Sequence, residues 1–274
     1  MSTPLPLPPV RVADASAPAQ SLRGRVVLVT GAAGGLGRAA ALESARAGAT
    51  VVLAGRKVRA LESVYDAIET AGGPQAAIYP LNLEGATPDD HAALAESIRQ
   101  QCGRLDGIVH AAAHFDGLRT IAQTKPIDWL RAQQVDLNAP FLLTQACLPL
   151  LQAAPDSAVV FVLDDPARVG RAYWGSYGVA KFAIAGFASI LHEECEQGPL
   201  RVHALLPGPM RTALRRMAYF GEDALTRETP DAAGAAIAFL LGDGARALRG
   251  RTLDLREPVA GDEVVASPRA MAGE

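Results

Sequence analysis

The chain has 274 residues, of which 49% are hydrophobic and 20% charged, with a formal net charge of −3. That length suffices for one large domain with a substantial core. The mild acidity gives no electrostatic footing for nucleic acid or an anionic membrane, and no apolar run reaches the roughly 20 residues of a membrane span.

Residues 1–20 are rich in Pro, Ala and Ser and lack the basic start and continuous apolar stretch of a signal peptide. They read as a flexible tail, residues 21–257 as one folded domain, and residues 258–274 as a second tail. Cys102, Cys147 and Cys195 are widely spaced. They suggest reduced thiols in a cytoplasmic protein.

The run from Val26 to Thr30 predicts a strand buried on both faces. A turn with Gly31, Gly34, Gly35 and Gly37 follows, then a helical pattern that Gly48 would stop. Strand, glycine turn and helix form a pyrophosphate cradle: glycine lets the backbone approach closely, and the helix start offers free N–H groups. Residues 50–54 return as a second strand. Helical spacing over 59–71 precedes a third strand at 76–82. Thr87 is a candidate N-cap for a helix over 88–102 with Pro88 at its first position. Strands at 107–113, 158–163, 201–208 and 251–256 alternate with helices over 127–152, 177–196 and 231–241. This alternation predicts a single-domain α/β fold, a Rossmann-like doubly wound sheet of seven parallel strands. Ligands in such a sheet sit beyond the carboxyl ends of the strands.

At the end of the second strand stand Gly55, Arg56 and Lys57. An acid there would bind both ribose hydroxyls and repel a 2′-phosphate. Its absence, with Arg56 able to pair a phosphate, favours NADP(H) over NAD(H). The alternative is that Arg56 and Lys57 are solvated charges opening a helix. Asn82 and Leu83, ending the third strand, are candidates for contact with adenine.

Tyr177 and Lys181 are four residues apart, which puts them on one helix face. A phenol titrates near pH 10, and a neighbouring ammonium favours phenolate. Such a pair can exchange a proton with a substrate oxygen while hydride moves to or from a nicotinamide.

The spacing Thr30-Gly31-x-x-x-Gly35-x-Gly37, the run from Gly170 to Lys181, the run from Phe141 to Leu151 and the run from Pro207 to Thr212 together resemble the short-chain dehydrogenase/reductase family, in its YciK-like subgroup. The resemblance implies Tyr177 as acid/base, Lys181 as its activator and ribose contact, and Asn138 as holder of a relay water. It implies cofactor contacts at Gly31, Gly35, Leu36, Gly37 and Ala111, with Pro207, Gly208 and Met210 bordering nicotinamide. It further implies a small carbonyl or alcohol substrate, no metal, and a homodimer or homotetramer packed through the helices at 127–152 and 177–196.

Two departures stand against the family pattern. The family's Asn-Asn-Ala-Gly after the fourth strand is here His110-Ala111-Ala112-Ala113. The catalytic serine, thirteen positions before the tyrosine, is here Asp164, with Asp165 and Pro166 following. A hydroxyl donates to a carbonyl oxygen, whereas an ionised carboxylate only accepts. Asp164 could be protonated and donate, could accept from an unusual substrate, or could turn away and leave Tyr177 to polarise the oxygen alone; alternatively Asp164, Asp165 and Pro166 simply make a turn. Two functions follow: a working NADP(H)-dependent oxidoreductase acting on a small carbonyl or alcohol, or a dinucleotide-binding protein that has lost turnover and acts as a sensor or partner subunit. His114 and Phe115 are candidates for the substrate pocket. Arg211, Arg215 and Arg216, in the segment expected to cover it, could attract an anion or lie solvated on a helix.

Overall fold

The computed structural model describes residues 6–257 and 264–265. Its strands are β1 (Pro9–Val12), β2 (Val26–Thr30), β3 (Thr50–Gly55), β4 (Ala77–Pro80), β5 (Gly107–His110), β6 (Ser157–Val162), β7 (Leu200–Leu206), β8 (Thr252–Asp254) and β9 (Val264–Val265). All pair in parallel, in the order β4-β3-β2-β5-β6-β7-β8-β1-β9. The helices are α1 (Gly35–Arg46), α2 (Val58–Thr70), α3 (Pro88–Cys102), α4 (Pro126–Gln133), α5 (Ala139–Ala153), α6 (Pro166–Val169), α7 (Gly175–Cys195), α8 (Ala213–Ala218) and α9 (Asp231–Leu241).

Alternate residues of β2 feed opposite faces, as a two-residue period requires. Val27 and Val29 join a core with Leu36 and Ala40 of α1, Leu61 of α2 and Ile237 of α9. Val26 and Leu28 join the other core, with Leu94 of α3, Leu143 of α5 and Ile184 of α7. Helices therefore cover both faces. From β2 the chain runs outward through β3 and β4, then crosses to β5 on the other side. Thr30 lies level with Ala54 and with His110. The crevice at this reversal is where a doubly wound sheet receives ligands.

The seven expected strands are present, and two more extend the sheet. The expected tail over residues 1–20 contains one of them. Pro9 and Val10 pair with Thr252 and Leu253, and Leu7 and Val10 are buried. The prolines do not prevent this, because Pro9 is the first residue of β1, where a strand tolerates the missing N–H. Thr252 N donates to Pro8 O at 2.9 Å and Thr252 Oγ1 to Leu7 O at 2.8 Å. Apart from Val264 and Val265, the expected second tail at 258–274 lies outside the described residues.

The N-cap expected at Thr87 forms, and Asp90 completes it as a capping box, with Pro88 opening α3. The long helix expected over 127–152 is interrupted. Between α4 and α5 the chain makes a π turn, Gln134–Asn138, closed by Ala139 N donating to Gln134 O. Pro140, near the start of α5, has no N–H, and its ring opposes the carbonyl four residues back. A π turn accommodates both effects, and such turns concentrate at functional sites.

Candidate active site

The glycine turn closes tightly on its surroundings. Gly31 has φ +64°, and a Cβ there would lie 2.7 Å from Ala112 Cα. A Cβ on Gly37 would lie 2.1 Å from Gly31 O. Both positions need glycine for the turn and the helix start to meet. The N-cap of α1 is Gly34, and no side chain caps the helix or places an acid in its first turn. The first N–H groups of α1 thus face the crevice with no competing acceptor, which fits a dinucleotide pyrophosphate. Thr30 Oγ1 accepts from Ala112 N at 3.3 Å, linking the end of β2 to the Ala111–Ala112 segment after β5. Gly208, with φ +71°, turns the chain beyond β7, and Met210 packs against the core containing Leu36.

At the end of β3, Arg56 is exposed and pairs with Glu84 at 2.6 Å. Glu84 N in turn donates to Asn82 Oδ1 at 3.3 Å. Arg56, Asn82 and Leu83 therefore share one rim of the crevice with a carboxylate, Glu84, that the sequence reading passed over.

Tyr177 and Lys181 share the buried face of α7. The Tyr177 ring meets Phe115 edge-on at 5.3 Å and Trp174 at 5.9 Å between centroids. Lys181 Nζ lies 5.4 Å from the Tyr177 ring centroid and donates to Val162 O, at the end of β6, at 2.9 Å. A cleft lined by Phe115, Arg119, Asp128, Trp174, Ser176 and Tyr177 opens beside the pair. Phe115 lines this cleft. His114 instead contacts Asp116 at 3.2 Å.

Asp164 does not turn away. Tyr177 Oη donates to its Oδ2 at 2.9 Å, and Arg168 pairs with its Oδ1. The turn chemistry falls to its neighbour: Asp165 caps α6, accepting from Ala167 N at 3.0 Å. Burial, then the charge of Asp164, then that of Asp136, push the Tyr177 phenol well above its ordinary value of 10. Among the described groups, Arg168 is the opposing cation of consequence.

Asn138 is not brought to this cluster. It is exposed, and its Nδ2 donates to Gln134 Oε1 at 3.2 Å. The residue that the π turn directs inward is Asp136, which is 2% exposed. Its Oδ1 accepts from His114 N at 2.9 Å, and its Oδ2 is buried without a hydrogen-bond partner among the described residues. Burial raises its carboxyl to about 7, with the Lys181 ammonium the main opposing influence. Regular 3.6-residue spacing across 127–152 conceals this, because the π turn shifts the phase of every side chain after it. The sequence signal is Pro140 early in the helical pattern; Pro149, later in it, lies within α5.

The segment beyond β7 is cross-braced. Arg215 pairs with Glu222 at 2.6 Å and stacks on Tyr219 at 4.5 Å, and Arg227 also pairs with Glu222. Arg215 is therefore committed within the segment, while Arg211 and Arg216 are exposed.

A crevice at the switch point of a doubly wound sheet, a glycine cradle and a buried Tyr–Lys pair define a dinucleotide-dependent oxidoreductase scaffold. The short chain dehydrogenase family pattern matches residues 25–221, and the chain belongs to that family. It is 39% identical over 233 residues to the uncharacterized oxidoreductase YciK of Escherichia coli K12, covering 85% of this chain and 92% of the relative. A short chain dehydrogenase structure from Pseudomonas syringae superimposes with a TM-score of 0.85 at 39% identity, covering 89% of this chain and 99% of the other. A short chain dehydrogenase from Escherichia coli CFT073, complexed with NADPH, has a TM-score of 0.83 at 39% identity, covering 88% and 100%.

Proposed function

We propose that the chain is an NADP(H)-dependent oxidoreductase that interconverts a small carbonyl compound and its alcohol, with Tyr177 as the acid. The observation that carries the reading is the buried Tyr177–Lys181 pair, beside a glycine cradle whose helix start lacks a competing cap. NADPH, when bound, supplies the hydride. The N–H groups near Gly35, Leu36 and Gly37 hold the pyrophosphate. Arg56 faces the 2′-phosphate, and Asn82 and Leu83 border adenine. Lys181 holds the ribose, while Ala111, Pro207, Gly208 and Met210 flank the nicotinamide.

Tyr177 gives its hydroxyl proton to the substrate oxygen, breaking its bond to Asp164 as it does so. Lys181 keeps positive charge beside the phenolate that forms. The aromatic wall of Phe115 and Trp174 excludes water and orients a small substrate. A second copy of the chain packs against α5 and α7, where Phe141, Phe182 and Ile190 are exposed; the protein works in the cytoplasm.

NADPH oxidation measured against a panel of small aldehydes and ketones tests the reading. Turnover that disappears in Tyr177→Phe while NADPH still binds supports it. Unchanged turnover in that variant removes Tyr177 from the role.

The Tyr177–Asp164 bond also favours a second reading, a cofactor-binding protein without turnover, since an acceptor holds the proton that a substrate would need. Tight NADPH binding with no carbonyl reduced, and reduction appearing in Asp164→Ser, would select it.

A further inference from the structure

The proton of Tyr177 is already given away. Its Oη donates to Asp164 Oδ2 at 2.9 Å. A hydroxyl has one donor, so a carbonyl oxygen arriving at Tyr177 meets lone pairs. Asp164 offers it no donor either, because a carboxylate only accepts. Two acceptors stand where a plain carbonyl needs a donor.

The carboxylate is held and does not swing aside to relieve this. Its Oδ1 accepts from Asp165 N at 2.7 Å and pairs with Arg168. Arg168 lies 4.8 Å from the centroid of the Trp174 ring. Asp165 is fixed in turn: it caps α6, and Arg256 beyond β8 donates to its Oδ1 at 2.8 Å. Asp164 Oδ2 is thus a fixed acceptor, with Tyr177 as its hydrogen-bond partner among the described residues. A substrate that draws the proton from Tyr177 strands this oxygen beside the Phe115 and Trp174 rings. A stranded acceptor is costly, and a charged one more so.

The exchange becomes even when the substrate brings a donor of its own. A carbonyl with a hydroxyl on the neighbouring carbon holds two oxygens about as far apart as hydrogen-bonded oxygens. Tyr177 Oη and Asp164 Oδ2 have that spacing. Arg168 and Lys181 already place two positive charges here, which favours a neutral donor over an ammonium.

We propose that the substrate is an α-hydroxy carbonyl compound, whose hydroxyl takes over Asp164 Oδ2 and thereby frees the Tyr177 proton for the carbonyl oxygen. The inference rests on the reductase reading above. The substrate hydroxyl keeps its proton and only shares it with Asp164. Hydride from NADPH bonds to the carbonyl carbon, the carbonyl π pair moves to oxygen, and the Tyr177 O–H bond breaks as the new O–H bond forms. The product is a 1,2-diol. Water reprotonates the phenolate as the diol leaves, and the bond to Asp164 re-forms.

Reduction of hydroxyacetone, methoxyacetone and butanone with NADPH tests the inference. Methoxyacetone keeps the electron-withdrawing oxygen but lacks the donor, and butanone lacks both. The wild type should reduce hydroxyacetone with a kcat/KM at least about tenfold above that for methoxyacetone. Asp164→Ser should bring those two within about threefold of each other and speed butanone, because its hydroxyl serves the carbonyl directly. Binding gives a readout without turnover. Propane-1,2-diol should bind the wild type about tenfold more tightly than 2-butanol, read by tryptophan fluorescence, and no more tightly in Asp164→Ser. A wild type that reduces hydroxyacetone and methoxyacetone alike, a variant that keeps the wild-type preference, or equal binding of diol and alcohol to the wild type overturns the proposal and leaves the reductase reading standing. A wild type that binds the diol preferentially yet reduces none of the three ketones overturns the reductase reading instead, and leaves Asp164 as a hydroxyl-binding site.

Discussion

The hydroxyl of Tyr177 donates to the carboxylate of Asp164 at 2.9 Å, across the gap between α7 and the end of β6. This one bond sets how the site can work. The proton that the chemistry needs is present, but an acceptor holds it, and a negative charge beside the phenol opposes its ionisation.

Replacing that acceptor should therefore release the tyrosine. Asp164→Ser should raise kcat for carbonyl reduction by about tenfold or more, since a hydroxyl can both donate to the substrate oxygen and leave the Tyr177 proton free. The same variant should lower the pH at which the phenol ionises, read by ultraviolet difference titration. In the wild type, whose phenol titrates above its usual range, alcohol oxidation that requires phenolate should stay weak up to about pH 10. An unchanged kcat in Asp164→Ser would show that the carboxylate does not restrain the proton.

Arg56 and Glu84 form a pair on the rim of the cofactor crevice. A 2′-phosphate approaching Arg56 meets Glu84 as a competitor. Arg56→Ala should weaken NADPH binding by about tenfold and NADH binding far less. Glu84→Gln should tighten NADPH binding several-fold, because it frees the guanidinium and removes a like charge. Fluorescence titration with both cofactors measures each effect without any substrate.

β1 pairs with β8, and beside it Thr252 donates to Leu7 O, 245 residues away in the chain. Leu7→Ala, at a side chain 3% exposed, should cost about 2–4 kcal/mol and lower Tm accordingly. A chain starting at Ala13 should lose more. Thermal unfolding that is indifferent to either change would mean the strand adds nothing to stability.

Buried imidazoles should make the protein acid-sensitive. Burial depresses both His110 and His203 to about 3. Their unfolded value is near 6.5, so the unfolded chain binds more protons throughout the interval between. Stability from these groups is complete above about pH 6.5 and is lost as pH falls toward 3. At about pH 5 the loss should be on the order of 1–2 kcal/mol for each. The Asp136 carboxyl, raised to about 7, acts in the opposite sense and favours the fold at lower pH. Tm should therefore fall on acidification, and the fall should shrink in His203→Gln.

Local patterns in the sequence determined most of the scaffold, because strand runs, glycine turns and caps act over a few residues. The end of β2, the glycine cradle, the Thr87 cap and the pairing of Tyr177 with Lys181 on one helix face are all short-range properties. Only the tertiary structure decided the rest. β1 forms by pairing with β8, more than 200 residues away, and no local composition reports a partner so distant. Asn138 lies exposed and Asp136 faces inward because the π turn before Pro140 rotates the helix surface that packs against α7. Asp164 faces Tyr177 rather than capping α6 because Asp165 takes the cap. The choice between two adjacent carboxylates is made by the space each finds, and space is a property of the assembled fold.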